Sequence, residues 1–242
     1  MIIDLSVTVS ADLPCDWPGL PRFRALPTMS LENDEVYSRS MVIEEHCGTH
    51  ADAPNHIADL SGRPLRPVSI DQINMDRFCG PARVADVRHV TGETKGESPW
   101  IMPDVLEAAL ARPLAAGDAL LVNTGWSDER YQAYPAGERY VGAPLAGTEP
   151  GWPALHPDTI AKVARVGVRL IGLDTPSLGA THDALSPHRA ALGRGLIVVE
   201  NLTRLADVPD RALFMIFPLK IADGSGAPGR AIAMTFDGES PC

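Results

Sequence analysis

The residues best suited to chemistry lie in one short stretch, His46-Cys47-Gly48-Thr49-His50-Ala51-Asp52-Ala53-Pro54-Asn55-His56. It holds three of the chain's seven histidines and an aspartate. Imidazole and carboxylate groups are the ligands that divalent zinc or manganese prefers. Two histidines and one aspartate on a metal leave coordination positions open, as a catalytic site requires. The stretch therefore predicts a catalytic metal centre.

The spacing within this stretch favours an extended chain over a helix. On a helix His46 and His50 would share a face, but Asp52 would point away from them at about 100° per residue. In an extended chain every second side chain leans to the same side, which aligns these three with His56. The odd-numbered Cys47 would face the opposite side and serve packing. A glycine and a proline inside the stretch also disfavour a helix. The alternative is a polar loop whose histidines are only hydrogen-bonded.

The stretch also matches, at every fixed position, the motif H-x-G-T-H-x-D-x-P-x-H. On this motif the chain resembles the cyclase family of metal-dependent hydrolases, which includes bacterial kynurenine formamidases and isatin hydrolases. The resemblance implies that His46, His50 and Asp52 hold a metal and that His56 acts in catalysis or at a second metal. The family often has an aromatic residue after the last histidine, where this chain has Ile57. That difference is expected to alter the pocket wall more than the chemistry.

Further ligands would have to come from the C-terminal half of the chain. By residue type the candidates are His182, Asp183, His188 and Glu200. Glu200 ends the apolar run 196–199, where a buried carboxylate would be costly without a partner. The resemblance selects His188 and Glu200, because family members often have a histidine twelve residues before the glutamate of an E-N-[LV] stretch. It also implies that Asp52 bridges to a second metal held by these two. His182 is interpreted as a surface histidine.

Other catalytic motifs are misplaced or missing in the sequence. Residues 224–229 match G-x-G-x-x-G literally, but they include a proline and precede a strand pattern. They are therefore predicted to form a turn rather than a dinucleotide cradle. The sequence has no G-x-S-x-G elbow and no H-E-x-x-H, so serine-hydrolase chemistry lacks its nucleophile.

Composition narrows the possible partners and location. The net charge is −10, and lysines and arginines are scattered, so nucleic acid and anionic membranes are not expected partners. The N-terminus shows no basic segment followed by an apolar one, and the four cysteines form no C-x-x-C pair. We therefore expect no signal peptide and a reducing, cytoplasmic location.

Periodicity predicts one mixed α/β domain over residues 1–242. Strands are predicted at 2–9, 23–30, 36–45, 82–87, 118–123, 168–173, 196–199, 213–221 and 230–236. Helical segments are predicted at 69–78, from Pro103 to Leu110, at 157–166 and at 183–193. The resemblance goes further and implies a cyclase-like swivelling β/β/α fold around a β-barrel-like core, usually assembled as a homodimer or homotetramer.

These features together predict a metal-dependent hydrolase. One or two zinc or manganese ions per subunit would activate water, and His56 would act as general base. Trp17, Trp126 and Trp152 are candidates for binding a small aromatic amide. Cleavage of an aryl formamide, as in kynurenine formamidases, is the first expectation, and ring opening of an isatin-type lactam or a lactone is the alternative. From another class, the chain could bind metal without turnover.

Overall fold

The structure is a computed structural model that describes residues 1–59, 61–209 and 212–235. Twelve strands lie within these residues. In chain order they are β1 (Ile2–Asp4), β2 (Arg24–Met29), β3 (Ser38–Val42), β4 (His50–Asp52), β5 (Cys79–Asp86), β6 (Trp100–Ile101), β7 (Ala119–Asn123), β8 (Ala154–Leu155), β9 (Leu170–Leu173), β10 (Ile197–Glu200), β11 (Ala212–Pro218) and β12 (Gly226–Thr235).

Seven of these strands close into a barrel. Their order is β12-β11-β5-β7-β9-β10-β4, and a further pairing of β12 with β4 closes the ring, while β1 adds to the outside of β12. The pairs β5–β7, β7–β9 and β9–β10 are parallel, and the remaining barrel pairs are antiparallel. The predicted mixed α/β fold with a β-barrel-like core is confirmed.

Six α-helices are described, and three of them cover one side of the barrel. The helices are α1 (Leu31–Asp34), α2 (Pro103–Ala108), α3 (Trp126–Arg130), α4 (Gly142–Leu145), α5 (Pro157–Val166) and α6 (Leu185–Leu192). The predicted helical segment 69–78 consists of two short 3₁₀ helices, Ile70–Gln72 and Met75–Phe78. Among the described residues, no helix is long and apolar enough to span a membrane.

The central strands are apolar on both faces because both faces are covered. Leu121 and Val199 belong to the cluster inside the barrel, whereas their chain neighbours Leu120 and Val198 pack in a second cluster under α2, α5 and α6. Strands covered in this way appear in sequence as continuous apolar runs rather than alternating ones. This is why β7, β9 and β10 could be located from the sequence to within two residues.

The predicted strand bounds differ most from the observed ones in the N-terminal part of the chain and in its last strand. The strand predicted at 2–9 pairs only over Ile2–Asp4, and the one predicted at 36–45 ends at Val42. The last predicted strand begins earlier than expected, at Gly226, and its final residue, Phe236, lies outside the described residues.

Candidate metal centre

Strand register brings the first ligand-type side chains together. His50 on β4 pairs with Glu200 on β10, and Asp52 pairs with Val198. Directly paired residues project from the same face of a sheet, so His50 and Glu200 meet. His50 Nε2 lies 3.4 Å from Glu200 Oε2 and 3.3 Å from Asp52 Oδ1. Ala51, between them, packs into the barrel interior, so its two neighbours face outward.

Turns, rather than one continuous strand, bring in the two outer histidines. Gly48 has φ +61°, in the left-handed region that glycine adopts without strain. The turn places His46 Nδ1 2.8 Å from Asp52 Oδ1. The ring of His56 lies with its centroid 4.1 Å from that of His46. The four even-numbered side chains therefore converge as expected, but the extended conformation predicted for all of them holds only in β4.

Helix α6 supplies the fourth histidine of the cluster. His188 Nε2 lies 3.2 Å from Glu200 Oε1 and 3.7 Å from Asp52 Oδ2. Both partners are buried. The structure thus brings together all five residues expected to hold metal: His46, His50, Asp52, His188 and Glu200.

His182 lies elsewhere. Its Nδ1 accepts a hydrogen bond from the backbone N–H of Ser98 at 3.3 Å, and its ring packs edge-on against Trp100 at 5.2 Å. It does not line the cavity above the cluster.

Two histidines of the cluster are oriented by backbone carbonyls. His50 Nδ1 donates to Gly48 O at 2.8 Å, and His188 Nδ1 donates to Ala184 O at 2.7 Å. A carbonyl can only accept, so the ring proton of a neutral imidazole lies on Nδ1 in both residues. The inward Nε2 atoms then present lone pairs to the carboxylates.

A serine orients the third histidine in the same way. Ser225 Oγ donates its single proton to Glu45 Oε2 at 2.7 Å. The contact of 3.0 Å between His46 Nε2 and Ser225 Oγ must therefore use the proton of the imidazole. The inward Nδ1 of a neutral His46 is left with a lone pair that faces Asp52.

Lone pairs that face carboxylates require a cation between them. His50 Nε2 and Asp52 Oδ2 are buried and make no hydrogen bond within the described residues. Without a metal, protons fill this need. Burial opposes protonation of His50, but Asp52 and Glu200 outweigh it and raise the pKa of His50 to about 10. A divalent cation would meet the same demand with neutral imidazoles, so the donor set fits such an ion.

The ligand-type side chains form two overlapping groups. The ligand atoms of His50, Asp52 and Glu200 lie within 4.8 Å of one another, and so do those of His46, Asp52 and His56. Asp52 belongs to both groups. It is the residue expected from the sequence to bridge two metals.

A cavity of about 320 Å³ opens onto the cluster. Its walls are mainly apolar and include Trp17, Leu20, Val141 and Leu185. His56 lines the same cavity, and burial lowers the pKa of His56 although the Asp52 charge opposes this. A neutral imidazole at the edge of a cavity is able to accept a proton.

Of the three tryptophans expected to bind substrate, only Trp17 reaches the cavity. Trp126 and Trp152 are buried behind it, and the indole ring of Trp152 packs edge-on against both of the others. Their N–H groups donate to Tyr140 O at 2.9 Å and to Gly179 O at 2.7 Å. A buried indole needs such a partner, and satisfying it turns these two rings away from the cavity.

Sequence reasoning missed residues that complete the site, and the predicted turn at 224–229 was wrong in its second half. Gly226 to Gly229 belong to β12, where Gly226 pairs with Asp52. A Cβ on Gly226 would lie 2.6 Å from His46 Cε1, so only glycine allows this approach. A glycine-rich segment before a strand could have signalled close backbone packing. Nothing in the sequence pattern pointed to Ser225 or Glu45.

Comparisons with known proteins identify the family of the chain. The family model described as putative cyclase matches residues 3–180. The chain is 31% identical over 232 residues to a kynurenine formamidase of Maricaulis maris, covering 95% of each chain. It is 32% identical over 240 residues to a kynurenine formamidase of Paracidovorax citrulli, covering 97% of each.

A solved structure resembles the whole fold. Isatin hydrolase A from Labrenzia aggregata, bound to benzyl benzoate, superposes with a TM-score of 0.82 at 25% identity, covering 98% of this chain and 94% of the other. The family match spans well over half of the residues, and the relatives match almost end to end. The chain therefore belongs to the cyclase family.

Proposed function

We propose that this protein is a metal-dependent hydrolase that cleaves the C–N bond of a small aryl formamide or a related amide. The observation that carries the proposal is the orientation of three histidines. Each gives its outward N–H to the protein and turns its inward nitrogen toward Asp52 or Glu200. A cluster whose imidazoles are all protonated would not require this orientation. Histidines that bind a metal, in contrast, usually donate their second N–H to a neighbouring group.

The proposed ligands are His46, His50, Asp52, His188 and Glu200, which would hold one or two zinc or manganese ions. When bound, such an ion lowers the pKa of water and polarises a carbonyl oxygen. His56 would accept the proton of the attacking water and return it to the leaving nitrogen. Trp17 and its apolar neighbours in the cavity wall would bind the aryl ring and exclude bulk water.

The choice of an aryl formamide rests on the kynurenine formamidases, which match along nearly their whole length. A second candidate is ring opening of an isatin-type lactam. It is supported by the likeness to isatin hydrolase A, which superposes with a TM-score of 0.82 at 25% identity. Both reactions break an acyl C–N bond next to an aromatic ring.

The test is metal analysis of the purified protein, followed by assays of the zinc and manganese forms on an aryl formamide and on isatin. We expect bound divalent metal, turnover of at least one substrate, loss of activity on chelation and recovery on adding metal back. Metal binding without turnover of either substrate would favour a non-catalytic metal-binding protein.

We also propose that the protein forms a homodimer, or a tetramer built from such dimers, through the β2–β3 ribbon. This two-stranded sheet carries exposed apolar side chains, among them Leu26, Met29, Met41 and Val42. Exposed apolar side chains concentrated on one element, here on both faces of the ribbon, are typical of an interaction site. Light scattering should give a dimer or tetramer, and a Leu26→Asp, Met41→Asp double variant should give monomers.

The cytoplasmic location expected from the sequence stays a prediction.

A further inference from the structure

Asn201 follows Glu200 and lines the cavity in a strained but well-anchored conformation. Its φ is +56°, which asparagine tolerates better than most residues. Its backbone N–H donates to Thr175 O at 3.0 Å, and its carbonyl accepts from Thr49 Oγ1 at 2.6 Å. The backbone of Asn201 is thus held on both sides, next to the candidate metal ligands.

A chain of hydroxyl groups reaches the Asn201 side chain from behind the cavity. Ser127 Oγ lies 2.6 Å from the backbone carbonyl of Asp174. The Tyr140 hydroxyl lies 2.9 Å from Ser127 Oγ and 2.7 Å from the atom placed as Oδ1 in the Asn201 side-chain amide. All four residues are buried. The three contacts are short enough to require a proton in each.

Counting protons along this chain fixes the direction of each bond. The Asp174 carbonyl only accepts, so Ser127 uses its one proton there. Tyr140 must then donate to Ser127, and burial raises the pKa of Tyr140 well above its ordinary value, so the hydroxyl keeps its proton. The contact between Tyr140 and Asn201 is left needing a proton from the amide.

This requirement determines which end of the amide faces the substrate. Exchanging the two ends of the Asn201 amide meets this requirement: the NH₂ group then faces Tyr140, and the amide oxygen takes the other position of a side chain that lines the cavity. The two ends of an asparagine amide have nearly the same shape and are distinguished by their hydrogen-bond partners. The cavity therefore presents a fixed acceptor beside Glu200 rather than a donor.

We infer that Asn201 Oδ1 accepts the N–H of the scissile amide, so that the enzyme selects amides and lactams bearing an N–H over the corresponding esters and lactones. An ester places an oxygen with lone pairs where the amide has its N–H, and it would leave this acceptor unpaired. The inference rests on the proposed hydrolase function and refines its substrate class. Tyr140 acts as a positioning residue, because it holds the amide but does not reach the substrate.

The test compares an aryl formamide with the matching aryl formate ester. For each protein, the ratio of kcat/KM on the amide to kcat/KM on the ester is measured, so that the higher intrinsic reactivity of the ester cancels between variants. Asn201→Ala should lower this ratio by about tenfold or more at unchanged metal content, as expected for losing a buried hydrogen bond to substrate. Asn201→Gly should do the same while tolerating the positive φ, which separates the effect from misfolding.

Tyr140→Phe and Tyr131→Phe form a matched pair for the positioning role. The Tyr131 ring packs edge-on against Tyr140, but its hydroxyl donates to Thr8 O at 2.8 Å and does not touch Asn201. Tyr140→Phe should raise KM for the amide more than for the ester and lower the ratio, whereas Tyr131→Phe should leave the ratio unchanged.

Two results would overturn the inference. Equal losses on amide and ester in Asn201→Gly would mean that the NH₂ group faces the cavity and contacts the carbonyl oxygen common to both substrates. A ratio equal to that of the wild type would mean no contact with the scissile N–H. If the wild-type protein loaded with metal cleaves neither substrate, the proposed function fails instead, independently of Asn201.

Discussion

Six of the chain's seven histidines lie in two regions of this protein, and the regions differ in what faces the rings. In the candidate metal centre, His46, His50 and His188 turn a ring nitrogen toward Asp52 or Glu200. In the second region, His156 and His182 both pack edge-on against Trp100, at 5.4 and 5.2 Å between ring centroids.

The hydrogen bonds of the Trp100 region explain why those histidines need no metal. His156 Nδ1 accepts the backbone N–H of Asp158 at 3.2 Å, and His182 Nδ1 accepts that of Ser98 at 3.3 Å. A backbone N–H bound to a lone pair satisfies a neutral imidazole. The comparison teaches that a buried carboxylate facing an unprotonated ring nitrogen, and not the histidine itself, marks a candidate metal site.

The strongest test of this contrast removes a histidine that faces both carboxylates. His50→Ala should abolish metal binding and turnover. It deletes a metal-binding nitrogen and removes the imidazole that lies between the negatively charged Asp52 and Glu200. Losing the ion should forfeit several kcal/mol of transition-state stabilisation. Metal content by elemental analysis and kcat/KM measure the two effects. Wild-type metal content and rate in this variant would place the site elsewhere.

His56 provides a test of role within the cluster. His56→Ala should retain metal but lose about 10²–10⁴ in kcat, because the ring lines the cavity and would serve as general base. Metal content and single-turnover rates should be measured on the same preparation. A parallel loss of metal and activity would instead make His56 a ligand in the group with His46 and Asp52.

Glu200→Gln tests the carboxylate side of the contrast. The substitution keeps the shape but removes the charge that faces His50 and His188, so metal affinity should fall by about tenfold or more. Titration with a competing chelator measures this affinity. His182→Ala is the matched control and should leave metal affinity and rate within about threefold. An equal fall in both variants would show that the effect comes from general destabilisation.

His156→Ala should produce the smallest change, and in a different quantity. His156 caps the N-terminus of α5, so its loss should lower the free energy of unfolding by about 1 kcal/mol without affecting metal content. Urea denaturation of the metal-free protein would measure the change. A loss of metal from this variant would break the distinction between the two regions.

The sequence was sufficient for features that depend on residue type and local spacing. The motif from His46 to His56 predicted the ligand types and their convergence. The pair that meets at 3.2 Å, His188 and Glu200, was selected by the resemblance to the cyclase family, which often shows this twelve-residue separation. Apolar runs located the central strands, because strands covered on both faces leave that pattern in any sequence. The mixed α/β class followed from the same patterns.

Contacts between segments distant in sequence could not be predicted in this way. Trp126 and Trp152 were predicted to contact substrate because aromatic rings suit an aryl substrate, but their N–H groups donate to buried backbone carbonyls. Residues 226–229 looked like a turn because glycine and proline usually break strands, but they close the barrel against β4. In both cases partners far along the chain overrode local preference.

By itself, the sequence determined the chemistry available to this protein: which side chains can bind a cation, and which of them are close enough along the chain to act together. Only the tertiary structure decided how those groups are oriented. The proton on each imidazole depends on acceptors supplied by Ser225, Ala184 and Gly48, and the direction of the Asn201 amide depends on its contact with Tyr140. A hydrogen bond needs its partner within about 3 Å and in line, and only folding brings such partners together.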